Sequence, residues 1–358
     1  MSMKKIIYLG VQPTPYTQYL LENLRQSDRF DLDVYYTFQV ISDLPWKSKM
    51  VHEEDGFFDR NWYGVDWDIV KLAYREKEAM FYILGYNEPT KFLVLLIRLV
   101  LGLPYSYFND SIKLNRNFYH LLKSSVLPVL FSGAKAIFTT GNFGVDRFRR
   151  SGYCGKDTKL VNFPFFVPLP ELPAARPEDG RLTFLCSGRL VDRKGFDDVI
   201  KAFGICRRDH GANFVLNIAG AGPNEADLRQ LAQDRGIADR VNFLGWLEAA
   251  QVKQAMLDAH VFVHYVPILD PFPVAVLEAM AAGLPIVGSD QAGSVADRVE
   301  NGVSGFVLPP RQPELLAEKL MHFIEDPAAA ARMGAAARRT AEQWPVERAE
   351  VILEEHLW

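Results

Sequence analysis

Three loops in the second half of the chain carry residue types suited to holding a phosphorylated ligand. The first, Ser187-Gly188-Arg189-Leu190-Val191-Asp192-Arg193-Lys194-Gly195, follows a short apolar run and opens a helical pattern. Open α/β sheets bind ligands where a loop leaves a strand's carboxyl end, and the start of the next helix favours anions. Gly188 and Gly195 let backbone come close to a phosphate, and Arg189 and Lys194 supply two cations suited to a diphosphate. Cations beside a helix start are common on ordinary surfaces, so this loop decides nothing alone. The second, Gly220-Ala221-Gly222-Pro223-Asn224-Glu225, begins like a dinucleotide fingerprint but ends on Glu225. That position needs glycine for close helix–strand packing, which speaks against an NAD domain and for a tight turn with some ligand-facing backbone. The third runs from Asp270-Pro271-Phe272-Pro273 through Glu278 to Gly283. A carboxylate in a proline-rich loop precedes a helix carrying a second carboxylate, and vicinal hydroxyls such as those of a ribose can donate to such a group. Glu278 could be a solvated helix residue, but Val274, Val276, Leu277, Ala279 and Met280 crowd it, and a carboxylate there should have partners.

The elements that must position these loops alternate. Strand-like runs at Arg181–Ser187, Phe214–Ala219, Val241–Leu244, Val261–His264, Pro285–Val287 and Gly305–Leu308 are separated by helical patterns near 195–209, 223–236, 248–258, 273–283, 293–300 and 311–325. This predicts a doubly wound parallel sheet. The first half reads similarly, with strands at Ile6–Gly10, Asp31–Thr37, Ala79–Leu84, Tyr105–Phe108 and Ala136–Thr139 and a helix over Thr17–Arg25. Between about 40 and 75 lies an irregular aromatic-rich segment with Trp46, Phe57, Phe58, Trp62, Tyr63 and Trp67, read either as an insertion shaping a pocket or as a satellite hydrophobic cluster. Pro168, Pro170, Pro173 and Pro177 mark a semi-rigid boundary. The expected division is 1–168, a linker over 169–180, a second domain over 181–344, and a last helix over 345–358 that returns to the first domain.

Composition is that of a globular α/β protein, and 358 residues suit two domains. Cys154, Cys186 and Cys206 have no metal-type spacing and read as small buried residues of a reducing compartment. The apolar run Ile6–Val11 is too short for a signal core, and Phe92–Leu103, interrupted by Arg98, is too short to span a bilayer. A cytoplasmic chain is expected, with any membrane contact peripheral. The net charge of −4 is uneven: residues 1–170 are net positive and 171–358 net negative. Lys113, Arg116, Lys123, Lys135, Arg147, Arg149, Arg150, Lys156 and Lys159 crowd the span 111–160 against Asp146 and Asp157. Such a face could meet anionic lipid or a phosphorylated acceptor, or be only a solvated surface. An acidic chain without a nucleic-acid motif does not point to nucleic acid.

Taken in order, Gly188-Arg189-Leu190 to Lys194-Gly195, Asn217–Gly222, Val241–Gly245, Asp270 to Glu278, and Asn301–Gly305 resemble glycosyltransferase family 4, the glycosyl transferases of group 1. The resemblance is best over about 182–310. It implies the GT-B fold, two Rossmann-like doubly wound parallel-sheet domains facing a central cleft, and retaining transfer of a sugar without a metal or resident cofactor. It implies that Arg189 and Lys194 hold the donor diphosphate, that Glu278 takes the ribose hydroxyls, and that Asp270 faces the sugar. Gly188, Gly220, Gly222, Trp246, Leu247, Phe272, Pro273, Val274 and Ala275 would complete the site for a UDP- or GDP-linked donor, with UDP the default. A glycan or lipid-linked hydroxyl would be the acceptor, in cell-envelope or extracellular polysaccharide synthesis. Acceptor-side candidates are Pro13, Thr14, Tyr16, Asn109 and Asp110. Departures are plain. Asp270 stands for a longer glutamate, Gly293-Ser-Val-Ala-Asp297 replaces a Gly-Gly-x-x-Glu, the first loop lacks its glycine pair, and Asn109 or Asp110 stands where relatives carry histidine. A GT-B sugar-nucleotide epimerase and a degenerate sugar-nucleotide-binding protein are the alternatives.

Overall fold

The computed structural model describes residues 3–38, 52–59, 63–110, 112, 118–174, 176 and 181–358. The chain forms two compact units, Met1–Phe166 with Val346–Trp358, and Val167–Pro345.

In the first unit the strands are β1 (Lys4–Gly10), β2 (Phe30–Tyr36), β3 (Gly56–Phe57), β4 (Met80–Leu84), β5 (Tyr105–Phe108), β6 (Ile137–Thr139) and β7 (Leu160–Asn162). The helices are α1 (Pro15–Arg25), α2 (Trp67–Arg75), α3 (Pro89–Val100), α4 (Phe118–Ser132) and α5 (Gly141–Ser151). The strands pair in parallel in the order β3-β2-β1-β4-β5-β6-β7. Ile6–Leu9 and Met80–Ile83 are apolar or aromatic throughout because helices cover both faces of the sheet. The segment read as irregular contains α2. Asp66 caps it by accepting from the amides of Asp68 and Ile69, and Ile69, Val70 and Ala73 turn into the core. Phe58 joins that core, whereas Trp46 and Trp62 lie outside the described residues. The terminal helix belongs to this unit. Ser27 donates to Glu350, Arg29 pairs with Glu354, and Phe30 stacks on Trp358.

The second unit holds β8 (Leu182–Ser187), β9 (Phe214–Ala219), β10 (Val241–Gly245), β11 (Val261–His264), β12 (Ile286–Ser289) and β13 (Gly305–Leu308), again parallel, in the order β10-β9-β8-β11-β12-β13. Its helices are α6 (Phe196–His210), α7 (Glu225–Asp234), α8 (Ala249–Asp258), α9 (Val274–Ala281), α10 (Gly293–Arg298), α11 (Pro313–Glu325) and α12 (Pro327–Glu342); the terminal helix above is α13 (Glu347–His356). Two apolar layers enclose the sheet, one under α6 and α11, the other under α9. The proline-rich stretch, read as a linker, is tied to this unit. Arg176 donates to the carbonyls of Met256, Leu257 and Ala282, and Arg338 donates to that of Pro170.

Candidate functional site

The order β9-β8-β11 makes β8 and β11 the pair at which the second sheet reverses direction, and the crevice beyond such a pair is where doubly wound sheets bind ligands. Ser187 and Gly188 end one side of it and His264 the other. The loop after β8 keeps pairing with the loop after β9: the amides of Gly188 and Leu190 donate to the carbonyls of Ala219 and Ala221 at 3.0 Å each. This gives two glycines a packing reason. A Cβ on Gly220 would strike the Gly188 carbonyl, and one on Gly222 the backbone of Leu190. Gly195, at φ 67°, lies against the Tyr265 carbonyl in a conformation that side-chain-bearing residues avoid. These glycines hold three loops together at the mouth of the crevice.

Lys194 closes one short helical turn and points its ammonium at Asp270, with Nζ 2.5 Å from Oδ2. The same carboxylate oxygen lies 3.0 Å from His264 Nε2. An ionised carboxylate only accepts, so Nε2 carries the hydrogen. Burial alone would raise Asp270, but the His264 hydrogen bond and the Lys194 charge hold it well below the usual carboxylate range. Burial lowers His264, against the pull of Asp270, so its imidazole is neutral at pH 7. The Asp270 backbone is equally fixed: its amide donates to Gln291 and its carbonyl accepts from Gly293. Sequence reasoning missed His264, which reads as the last residue of a buried strand. A histidine there, six residues before the loop carboxylate, was the available signal.

Glu278 lies on α9, half-buried among Val276, Leu277, Ala279 and Met280. Burial raises its pKa, with no neighbouring charge or hydrogen bond contributing. A carboxylate so placed is suited to a ligand that donates to it. Arg189 is exposed and makes no ion pair among the described residues. Phe272 and Pro273 are buried at the start of α9, Val274 and Ala275 half-buried after them, Leu247 half-buried and Trp246 exposed after β10. No side chain caps α9, which leaves its first amides without a side-chain acceptor.

In the first unit the candidates divide. Thr14 caps α1 in a reciprocal box with Thr17 and Pro15 opens the helix, so these two have a structural task, and Pro13 is buried just before the cap. Tyr16 packs against Phe165, ring centres 4.5 Å apart, and burial with the nearby Asp110 carboxylate pushes its hydroxyl up to about 12. Asn109 turns inward and donates to the Tyr107 hydroxyl at 3.0 Å, while Asp110 is exposed and its backbone carbonyl takes the hydroxyls of Thr139 and Thr140. Tyr16 and Asp110 are therefore brought together, while the Asn109 amide is engaged with the Tyr107 hydroxyl. Of the basic span, Arg147 is engaged with the Ile112 carbonyl and the Phe143 ring, and Arg150 with Asp146. Lys113 and Arg116, and the side chain of Lys123, lie outside what is described. Among the described residues no group of His, Cys, Asp and Glu could hold a metal ion.

Residues 171–340 match the family described as glycosyl transferases group 1, so the second unit is a domain of that kind. A GDP-mannose-dependent alpha-(1-6)-phosphatidylinositol monomannoside mannosyltransferase of Mycobacterium tuberculosis is 33% identical over 189 residues, 48% of this chain and 48% of the relative. A putative colanic acid biosynthesis glycosyltransferase of Escherichia coli is 32% identical over 174 residues, 46% and 40%. The chain spans less than half the length of these curated relatives. Among solved structures, Anabaena HepE in complex with UDP superposes over 99% of both chains with a TM-score of 0.76 at 19% identity. A sucrose-phosphate synthase of Thermosynechococcus elongatus gives 0.73 over 98% of both at 18% identity. The fold is GT-B, two Rossmann-like α/β units.

Proposed function

We propose, from the premise that the second unit is a group 1 glycosyl transferase domain, that the chain moves a sugar from a nucleoside-diphosphate sugar to a hydroxyl of a glycan or lipid-linked acceptor. The observation that carries this is the convergence of Lys194, Asp270 and His264 at the β8/β11 reversal. In this reading Lys194 and Arg189 meet the diphosphate and stabilise it as it leaves. Glu278, shifted by burial alone, takes the ribose hydroxyls. Asp270 stays ionised, so it accepts from sugar hydroxyls and stabilises positive charge near the sugar; it is not a proton donor. The anomeric configuration is retained, the leaving phosphate takes the acceptor proton, and Tyr16 and Asp110 contribute to the acceptor side. The place of action is cytoplasmic, in cell-envelope or extracellular polysaccharide synthesis, with no metal or resident cofactor.

UDP is the proposed donor nucleotide, since HepE is seen with it; the Mycobacterium relative names GDP-mannose, so both belong in the test. Calorimetric titration with UDP, GDP and ADP should show binding of one nucleotide, weakened in Arg189→Ala and Glu278→Ala. No binding by folded wild type would sink the donor site. Turnover of a sugar nucleotide without acceptor, giving its epimer, would replace transfer by epimerisation at the same site.

A further inference from the structure

We propose that the Lys194–Asp270 ion pair makes the site prefer a nucleoside-diphosphate sugar to the nucleoside diphosphate that transfer leaves behind. Such a preference rests on the donor-site reading above and adds to it a discrimination between substrate and product. Asp270 is only 8% exposed, and its two oxygens are unlike. Oδ2 takes both Lys194 Nζ, at 2.5 Å, and His264 Nε2, at 3.0 Å. Oδ1 accepts nothing among the described residues, and the backbone groups of Asp270 are committed to Gln291 and Gly293. The carboxylate is held in place with one oxygen saturated and the other open to a hydroxyl. Lys194 supplies the only formal charge opposite it among the described residues, because burial keeps His264 neutral. The buried cations of α3 differ: Lys91 donates to the carbonyls of Gly10 and Leu84, and Arg98 to those of Ala73, Glu76, Ala79 and Pro104. Drawing Lys194 off its partner, unlike drawing off either of those, uncovers a carboxylate.

A diphosphate entering the loop between Gly188 and Gly195 meets an ammonium that already has an anion. Phosphate and carboxylate compete for it, and a phosphate that draws Lys194 away leaves Asp270 buried without its counter-charge. Removing one partner of a buried pair is costly because the remaining charge stays uncompensated. A bare diphosphate meets that cost in full. A diphosphate sugar offsets it, since its hydroxyls donate to the Asp270 oxygens in place of the ammonium. Sites built to hydrogen-bond a substrate hydroxyl discriminate strongly against the analogue that lacks it. Here that analogue is the product of transfer, and the return of Lys194 to Asp270 helps to expel it. His264 keeps Asp270 aligned in both states, because its hydrogen bond does not depend on where the ammonium lies.

Calorimetric titration of the full chain with UDP, GDP, UDP-glucose and GDP-mannose supplies the test. Wild type should bind one sugar nucleotide more tightly than the matching diphosphate. Asp270→Asn keeps the shape of the side chain and an oxygen for His264. It should bind that diphosphate roughly tenfold more tightly than wild type and lose the preference for the sugar nucleotide. Most of the gain should require the lysine: added to Lys194→Ala, Asp270→Asn should change diphosphate affinity by less than about threefold. Asp270→Ser, which also removes the charge, repeats the comparison if the amide variant does not fold. The proposal is overturned if Asp270→Asn binds the diphosphate no more tightly than wild type, or if the ratio of the two affinities is the same in both proteins. It is equally overturned if the gain is as large without Lys194, since the carboxylate would then only repel phosphate. These failures leave the donor site standing, whereas no binding of any nucleotide by folded wild type would remove the site and the preference together.

Discussion

Both sheets reverse direction once, and the chain treats the two places oppositely. In the first unit the reversal lies between β1 and β4, and Lys91 fills it, its Nζ 2.7 Å from the Gly10 carbonyl and 2.8 Å from that of Leu84, the strands' last residues. In the second unit the reversal lies between β8 and β11, and there a lysine is paired with a carboxylate. Lys91 satisfies backbone carbonyls and leaves nothing for a ligand to exchange with. Lys194 is bound to a charged side chain that an incoming phosphate can compete with. The same topology thus supplies one structural staple and one exchangeable cation, and only side-chain partners tell them apart.

Substitution of the two lysines breaks the comparison most sharply. Lys194→Ala should lower kcat/KM for transfer about 10²–10³-fold, the scale for removing one preorganised electrostatic donor, in protein that still folds although Asp270 has lost a partner. Lys91→Met should do the reverse. Two buried carbonyls lose their donor, and unfolding free energy should fall by about 2–3 kcal/mol in denaturant titration, with UDP affinity unchanged. If Lys91→Met abolishes UDP binding without unfolding the protein, the first reversal is not a staple. A smaller effect is expected at His264. Its hydrogen bond positions Asp270, so His264→Leu should cost roughly tenfold in kcat with little change in UDP affinity. His264→Gln, which keeps an N–H donor, should recover part of that loss. Equal loss in both variants would mean that the ring only packs.

Much of the fold was legible because buried parallel strands are continuous apolar runs. Tyr105–Phe108, Phe214–Ala219, Val261–His264 and Gly305–Leu308 read to the residue. Helix α2 escaped because Trp67 and Tyr74, both exposed, blur its apolar stripe, and its cap at Asp66 is a lone residue without a capping-box partner. The loops carrying Arg189, Lys194, Asp270 and Glu278 were legible from residue type and their place after strands. The partner of Asp270 was not, since β11 and the following loop fold back on each other and a histidine in an apolar strand resembles core. Gly220 and Gly222 were read as a tight turn with some ligand-facing backbone; the close packing of both against the backbone of Gly188 and Leu190 is a three-dimensional constraint that the sequence alone does not carry. Lys91 and Arg98 defeat sequence reading altogether, because a cation in a helix is expected in water.

The finest separation of the two lysines is by pH. Burial lowers Lys91 to about 7 against an ordinary 10.5, with Glu88 opposing the shift. Below pH 7 the amine is protonated in both folded and unfolded chains, and the folded chain bears the full cost of a buried charge. Between pH 7 and 10.5 the unfolded chain holds the extra proton, so stability contributed at this site rises with pH across that window, by at most about 1.4 kcal/mol per pH unit. A neutral amine still has two N–H donors, as many as there are carbonyls, so deprotonation leaves the staple intact. The unfolding free energy of wild type minus that of Lys91→Met, followed from pH 6.5 to 9.5, should therefore climb. A flat difference would mean that Lys91 remains charged in the fold, and both reversals would then be built on a lysine cation.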